Sequence, residues 1–175
     1  MTTVTFMERQ YAIDAQRVSA GDGEVTGQEL EKLLAMPNLN ALSLDTTDVT
    51  DDMLRIIGRL TSLEELDLSL TDITDAGIPH LRNLRHLTQL RIKENQLTDR
   101  DIAGLVEQHP NLESLNVKDL EITDAGLEHL GRLKKLERIV FLNPRFTQAG
   151  LERLRQRLPA GCDIVVQGVP AKSRE

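Results

Sequence analysis

One leucine frame recurs through most of the chain at an almost constant interval. Leu39, Leu63, Leu87, Leu112 and Leu136 follow one another at steps of 24 or 25 residues. A fixed period of this length is typical of a solenoid, because one unit cannot bury its apolar face alone and neighbouring units stack to cover it. No other feature of the sequence limits the possible folds as strongly.

Each unit predicts one strand followed by one helix. In the third unit, Leu66 and Leu68 flank Asp67 with the alternation of a strand. Ile78 and Leu81 then have the spacing of one buried helical face. Stacked units of this kind predict an α/β solenoid with a parallel sheet on one face and short helices on the other.

The repeat frame also predicts how the chain is divided. It covers residues 15–166 as six repeats and a closing strand, and residues 20–24 form the loop of the first, degenerate repeat. Residues 1–14 lie outside the frame and predict an N-terminal cap over the open end of the solenoid. Residues 167–175 are polar, contain Pro170 and predict a flexible C-terminal tail.

A Thr-Asp pair recurs ahead of the predicted helices. Threonine is a common N-cap residue, and the helix dipole favours a carboxylate in the first turn. Recurrence in every well-formed repeat predicts helix capping and argues against acid catalysis or calcium binding. The pairs are Thr50 and Asp51, Thr74 and Asp75, Thr98 and Asp99, and Thr123 and Asp124.

Composition and charge argue against several classes of protein. The 28 acidic and 21 basic residues give a formal net charge of -7, which disfavours a general nucleic-acid binder because phosphate affinity needs a basic footprint. The start has neither a basic leader nor a continuous apolar core, and no run approaches the roughly 20 apolar residues of a membrane span. We therefore expect a cytoplasmic protein that does not enter the membrane.

The repeats resemble those of leucine-rich repeat proteins of the ITDxGL type. Their pattern, L-x-x-L-x-L-x-x-N/C/T-x-L-T-D-x-G-L-x-x-L, is matched by residues 63–81 and 112–130. Similar units occur in ribonuclease-inhibitor-like proteins and in the repeat regions of F-box proteins. The resemblance implies a right-handed horseshoe or arc, with the parallel sheet on the concave face and short helices on the convex face. It also implies a non-catalytic scaffold that binds a protein partner.

One polar position of the repeat changes along the chain. It holds Thr47, Thr71 and Asn95 in three successive repeats, but Leu120 and Pro144 in the next two. In the family that the repeats resemble, polar residues here form a hydrogen-bonded ladder between units. We therefore expect the ladder to stop after Asn95.

The outward residues of the strands form the usual ligand surface in leucine-rich repeat proteins. Here they predict an acidic band on the second and third units and a basic band on the fourth and fifth. An exposed apolar spot near the C-terminal end consists of Val140, Leu142 and Val165. The partner-binding residues predicted on this basis are Asp45, Glu65, Asp67, Arg91, Lys93, Asn116, Lys118, Arg138 and Leu142.

The sequence leaves alternatives open for this surface. Asp67 and Arg91 hold equivalent positions of adjacent strands, roughly 5 Å apart, so a solvated face of mutually compensating charges competes with a partner surface. The apolar spot is buried either by a partner or by the C-terminal tail through Val169. The alternative function is a structural or assembly subunit that docks or dimerises through the C-terminal end, and we expect a monomer or a weak homodimer.

The sequence contains no recognisable set of catalytic residues and no recognisable set of metal ligands. His80 and His129 hold equivalent helix positions two repeats apart, roughly 10 Å, which is too far for one zinc ion with bonds of about 2.1 Å. Cys162 is the only cysteine, which excludes an intrachain disulfide, and its context predicts a buried structural thiol. We therefore expect no enzymatic activity, no cofactor and no metal.

Overall fold

The structure is a computed structural model that describes residues 2–20 and 23–170. Seven strands form one parallel sheet in chain order, and each is followed by the next after a convex segment. This arrangement confirms the predicted α/β solenoid. The strands of the sheet are β3 (Arg17–Ser19), β4 (Ala41–Ser43), β5 (Glu65–Asp67), β6 (Gln89–Arg91), β7 (Ser114–Asn116), β8 (Arg138–Leu142) and β9 (Asp163–Gln167).

Six convex segments connect these strands. Five are α-helices and one, Ile78–Asn83, is a 3-10 helix. The α-helices are α1 (Gly27–Leu33), α2 (Asp51–Ile57), α3 (Asp99–Gln108), α4 (Asp124–Leu130) and α5 (Gln148–Arg157). None of the helices in the described parts of the chain is both long and apolar enough to cross a membrane.

One aliphatic core runs the length of the solenoid between sheet and helices. The inward strand leucines and the apolar faces of the helices belong to a single buried cluster. Aromatic residues occur at its two ends: Phe6 is buried at the N-terminal end, and Phe141 packs edge-to-face on Phe146 at the C-terminal end with ring centroids 4.9 Å apart. The frame of inward leucines therefore positions every strand, and hence every outward residue.

A two-stranded antiparallel hairpin stands at the N-terminal end. It consists of β1 (Thr3–Phe6) and β2 (Arg9–Ala12). Val4 and Phe6 are buried in the common core, and the backbone N–H of Met7 donates to the carboxylate of Glu29 in α1 at 3.0 Å. The hairpin therefore covers the N-terminal end of the common core.

The C-terminal end is built differently. Gln167 still belongs to β9, where it pairs with Leu142, so the strand extends into the segment predicted as a tail. Ile164, Val165 and Val166 are only half-buried in this last strand. The remainder of the predicted tail, 171–175, and residues 21–22 of the predicted first loop lie outside the described residues.

The Thr-Asp pairs stand at the starts of α2, α3 and α4 as predicted, with the threonine at the N-cap and the aspartate in the first turn. The aspartates also connect neighbouring repeats, which was not predicted. The carboxylate of Asp51 accepts hydrogen bonds from the N–H and Oγ1 of Thr74, one repeat later, at 2.8 and 2.6 Å. Asp124 accepts the same two bonds from Thr147 at 2.7 and 2.8 Å. Asp99 bonds Thr123 in the same way. We call this contact the Asp-Thr clasp.

A glycine makes room for each clasp. A Cβ atom at Gly77, Gly126 or Gly150 would lie 2.3 Å from the carboxylate oxygen of the preceding repeat's aspartate. In the fourth repeat the equivalent residue is Asp101, whose own carboxylate accepts from the N–H and Oγ1 of Thr98 at 2.7 and 2.9 Å. A bond within one repeat thus replaces the bond between repeats.

The third convex segment corrects a further prediction. The pattern predicts an α-helix capped by Thr74, but the segment is a 3-10 helix that begins at Ile78. Pro79 stands in its first turn, where a residue without an N–H is tolerated and φ is already helical. Thr74 bonds Asp51 of the preceding repeat, and its Oγ1 also accepts from the N–H of Ala76 at 3.3 Å.

The polar ladder links two of the three repeats in which it was predicted, because Thr47 Oγ1 donates within its own repeat, to the carbonyl of Leu44 at 2.6 Å. Asn95 Nδ2 donates to the carbonyl oxygens of Leu68 and Ile92 at 2.8 and 3.0 Å, and Thr71 Oγ1 lies 3.1 Å from Asn95 Oδ1. Leu120, at the next equivalent position, is buried as an apolar residue. The ladder therefore ends after Asn95.

His109 interrupts a row of buried apolar residues at the end of each convex segment. Its side chain is 3% exposed, and neither ring nitrogen has a partner at hydrogen-bonding geometry within the described residues. Burial lowers the pKa of His109 to about 4, and the nearby backbone of Leu84 acts in the opposite direction with a smaller effect. The equivalent residues of the other repeats are Met36, Leu60, Leu84, Leu133 and Leu158.

Candidate protein-interaction surface

Three rows of outward side chains cross the concave sheet, and the strand register defines them. The first row is Arg17, Ala41, Glu65, Gln89, Ser114, Arg138 and Asp163. The second row is Ser19, Ser43, Asp67, Arg91, Asn116, Val140 and Val165. The third row, two residues further along, is Asp45, Ser69, Lys93, Lys118, Leu142 and Gln167.

All nine residues predicted to bind a partner lie in these rows. Glu65 and Arg138 belong to the first row, and Asp67, Arg91 and Asn116 to the second. The other four, Asp45, Lys93, Lys118 and Leu142, belong to the third. The structure thus brings the whole predicted set onto one face, because the period of two in a strand fixes which side chains point outward.

The third row is held in register by an unusual backbone conformation. The residue that follows each of the first five third-row positions has a positive φ, between 49° and 60°, although none of the five is a glycine; the sixth, Gln167, is followed by Gly168 at 96°. The N–H of each of the five donates to the carbonyl of the third-row residue in the next strand, as from Glu94 to Lys118 at 2.9 Å. This conformation costs roughly 1–2 kcal/mol per residue. The five residues are Thr46, Leu70, Glu94, Asp119 and Asn143.

A salt bridge in the first row spans two strands. Arg17 Nη1 and Nη2 donate to Glu65 Oε2 and Oε1 at 2.9 and 2.6 Å. Ala41 lies between the two residues in the row, and its small side chain leaves the path open. Donating these hydrogen bonds to the Glu65 carboxylate raises the pKa of the Arg17 guanidinium. Arg17 was not among the predicted partner-binding residues, although a small residue between opposite charges is a signal in the sequence.

Two further concave ion pairs join adjacent strands. Arg91 Nη1 lies 3.8 Å from Asp67 Oδ2. This is the pair expected if the charges of the concave face compensate one another, which was one of the two interpretations of the sequence. Arg138 pairs with Asp163 across β8 and β9. Exposed pairs of this kind contribute about 0–1 kcal/mol to stability. Much of the predicted acidic and basic banding is therefore neutralised within the chain.

A shallow pocket of about 310 Å³ opens over β3–β6 on this face. Its wall on the N-terminal side is Tyr11 of the hairpin, whose hydroxyl donates to the carbonyl of Ser19 at 2.9 Å. Tyr11 was assigned to the cap by sequence and not to the concave surface. The other polar lining residues are Arg17, Ser19, Ser43, Glu65, Asp67 and Arg91.

The predicted apolar spot is less exposed than expected. Val140 is only 9% exposed, and its register partners Asn116 and Val165 flank it on both sides. Leu142 and Val165 are half-buried. Val169 is 87% exposed, so it does not cover the spot. The prediction of an exposed Val140 was wrong, because neighbouring strands alone bury a short side chain in the middle of the sheet.

Cys162 and His80 are side chains outside the concave face that could in principle take part in chemistry. Burial and the neighbouring Asp163 raise the pKa of the Cys162 thiol, which is the reverse of what a nucleophile requires. Arg55 Nε lies 3.3 Å from His80 Nε2 at the surface of the convex side. Over residues 2–20 and 23–170, no three His, Cys, Asp or Glu side chains converge in a way that could hold a metal ion.

Comparisons with known proteins agree with this architecture. Residues 59–78, 83–106 and 108–131 match the family model described as Leucine Rich repeat. No curated protein shows a sequence match. An internalin, InlF, of Listeria monocytogenes superposes with a TM-score of 0.60 at 18% identity, over 91% of this chain and 41% of that chain. Internalin C2 of the same organism superposes with a TM-score of 0.61 at 24% identity, over 91% of this chain and 74% of that chain.

The chain thus spans less than half of the length of the first internalin. At these identities the likeness concerns the fold alone. Together with the repeat matches and the seven-stranded parallel sheet, it shows that this chain carries leucine-rich repeats and folds as a leucine-rich repeat arc.

Proposed function

We propose that this protein is a non-catalytic interaction module that binds a protein partner through its concave sheet. Leucine-rich repeat domains are generally protein-interaction modules, and the extended inner surface of a solenoid is where such proteins bind. The observation that carries the proposal is the gathering of all nine predicted residues on one continuous face of seven strands. The proposal includes no cofactor, no metal and no nucleic-acid partner.

Ion pairing around the concave pocket supports this function. Arg17 pairs with Glu65, and Arg91 pairs with Asp67, so the partners restrict one another's conformations. A preorganised surface loses less conformational entropy when it binds. Its charge pattern contributes mainly to the association rate and to the register of the partner.

Three further assignments belong to the same proposal. The Asp-Thr clasp with its glycine accounts for the T-D-x-G part of the repeat and supports the ITDxGL type. We divide the chain into a cap at 1–14, a repeat domain at 15–166 and a tail at 167–175. We also place the protein in the cytoplasm, because its single cysteine allows no intrachain disulfide.

Charge reversal on the concave face tests the proposal. We expect the double substitution Arg91→Glu with Lys93→Glu to reduce partner capture at least about tenfold, which corresponds to 1.4 kcal/mol. The measurement is quantitative mass spectrometry of proteins retained from a native extract by the immobilised variant. Thermal unfolding followed by circular dichroism verifies that the variant is folded.

The control for this experiment carries the same change of charge on another face. Arg82 and Arg85 are exposed beside the end of the 3-10 helix, in the third repeat. The double substitution Arg82→Glu with Arg85→Glu should therefore leave capture unchanged. Equal recovery of the same partner by the concave variant and the native protein would contradict the proposed function.

The alternative of a weak homodimer rests on β9. Within the described residues no strand pairs with its outer edge, and exposed edges of this kind are sites of strand addition. An antiparallel pairing of two copies about Val165 would place Ile164 opposite Val166 and Asp163 opposite Gln167. No like charges would then face each other, which suits an isologous two-fold contact.

Sedimentation velocity at increasing concentration distinguishes the alternative. Val165→Lys would place two ammonium groups together on the two-fold axis, so association should be lost. Gln167→Lys adds the same charge but places it opposite Asp163 of the second copy, so association should persist. A monomer at all concentrations in the native protein, or equal behaviour of the two variants, would exclude this contact.

A further inference from the structure

Two lysines of the third row are unpaired. Arg17, Arg91 and Arg138 on the concave face each pair with a carboxylate of the same face. Lys93 and Lys118 form no salt bridge with any residue in the described parts of the chain. The unneutralised positive charge of the sheet is therefore concentrated at these two positions.

The two lysines are also neighbours. They follow β6 and β7 at equivalent register positions, since Glu94 N–H donates to the carbonyl of Lys118 at 2.9 Å. Adjacent strands lie about 4.8 Å apart, and like charges directly opposite one another destabilise a sheet. Both side chains are half-buried, which limits how far they can separate in water. An anionic group bound between them would relieve the repulsion.

An apolar side chain completes the site. Leu142 is the next residue of the third row, because Asp119 N–H donates to its carbonyl at 3.2 Å. The distance from the midpoint between the two lysines to Leu142 is one and a half strand spacings, or about 7 Å. Alternate side chains on one face of an extended peptide recur at nearly the same distance, about 6.8 Å.

We propose that Lys93 and Lys118 together bind a carboxylate of an extended acidic segment of the partner protein, and that an aliphatic side chain two positions away in that segment packs on Leu142. The recognised motif is thus an acidic and an aliphatic residue separated by one residue. This inference rests on the proposed concave-face function and specifies the chemistry of its partner.

Charge favours a protein segment over a nucleic acid. A phosphate backbone is held by several cations in succession, and its affinity scales with their number. Here only two unpaired lysines are available, Asp67 stands on the strand next to Lys93, and Glu94 follows Lys93 in the chain. One carboxylate matches two lysines, whereas a longer run of phosphates would meet these acidic groups.

Labelled peptides test the motif directly. The probe is a ten-residue serine-rich peptide with glutamate and leucine separated by one serine. A second peptide has glutamine in place of glutamate, and a third has glutamate and leucine adjacent. We expect fluorescence anisotropy to give the tightest binding for the first peptide, and both other peptides to bind about tenfold more weakly, equivalent to 1.4 kcal/mol. Amide chemical shifts should change at Lys93, Lys118 and Leu142.

Matched variants assign the effect to the lysine pair. Lys93→Gln with Lys118→Gln should weaken the first peptide about tenfold, the same 1.4 kcal/mol. Arg82→Gln with Arg85→Gln, which removes the same charge elsewhere, should not. If both variants weakened peptide binding equally, the change in net charge alone would explain the effect, and the proposal would be overturned. Equal binding of the glutamine peptide, or preferential binding of a single-stranded DNA oligonucleotide, would also overturn it.

A steric variant separates this inference from the proposed function. Asn116→Trp would fill the centre of the second row and block any partner on the concave face, whatever its charge. If this variant loses the captured partner while Lys93→Gln with Lys118→Gln retains it, the concave surface binds but the acidic motif is wrong. If both variants retain the partner, the proposed function itself fails.

Discussion

Replacing Gly126 with alanine is expected to destabilise the protein by about 3 kcal/mol. The new Cβ would lie 2.3 Å from Oδ1 of Asp99, so the carboxylate would have to leave its place. Overpacking of this kind costs about 1–3 kcal/mol. The N–H and Oγ1 of Thr123 would also lose their acceptor, at about 1 kcal/mol or more for each bond. Urea unfolding measured at pH 7 gives the free energy of unfolding directly.

The matched control is a glycine in the preceding helix. Gly104 lies in α3 but outside the clasp, and the nearest atom to an added Cβ is Gln108 Nε2 at 3.8 Å. Because alanine is the better helix former by about 1 kcal/mol, Gly104→Ala should stabilise the protein or leave it unchanged. Destabilisation of similar size at Gly104 and Gly126 would contradict the role assigned to the clasp.

A double-mutant cycle isolates the contact. Asp99→Ala alone removes the carboxylate and both of its bonds to Thr123, so it should be destabilising. Adding Gly126→Ala to this variant should then cost less than in the native protein, because the carboxylate is gone and only the close contact with Ile122 Cγ2, at 2.7 Å, remains. Contacting residues usually couple by about 0.5–3 kcal/mol. Strict additivity would show that the two residues do not act through each other.

The clasp illustrates what a local interpretation of sequence misses. The Thr-Asp pair fits a helix cap, because both residue types suit the first turn. The binding partner of the aspartate, however, lies one repeat further on. Comparison between repeats carries the signal: Asp51, Asp99 and Asp124 are each followed one repeat later by a glycine, whereas Asp75 is followed by Asp101. The glycine appears where a carboxylate has to be accommodated.

The fold, and the face of the sheet on which the candidate residues lie, could be predicted from the sequence for a simple reason. A buried leucine at every inward position fixes strand register, and a shift of one residue would turn the apolar side chains outward. The nine concave residues follow from that alternation. The alternation does not determine which side chains are long enough to touch or small enough to be buried by their neighbours. The bridge from Arg17 to Glu65 depends on the small Ala41 between them, and the burial of Val140 depends on its neighbours on both sides.

His109 gives the stability of the protein a pH dependence whose sign follows from burial. Its pKa is about 4 in the folded protein, below the ordinary value of 6.5 that we expect in the unfolded chain. The unfolded chain therefore binds a proton more readily, and stability rises with pH wherever the unfolded state holds more protons. The contribution of neutral His109 is fully present above pH 6.5 and is lost as the pH falls from 6.5 towards 4.

Replacing His109 with leucine should remove this dependence and raise stability. Leucine restores the apolar row to which Leu84 and Leu133 belong, and it eliminates two buried nitrogens without partners. Between pH 7 and pH 5 the native protein should lose about 2 kcal/mol more of its free energy of unfolding than His109→Leu does. Urea unfolding of both proteins at the two pH values measures this, since carboxylates common to both cancel in the difference. His86→Gln, an exchange on the surface, is the control and should follow the native protein; a native-like loss in His109→Leu would show that His109 is not the source.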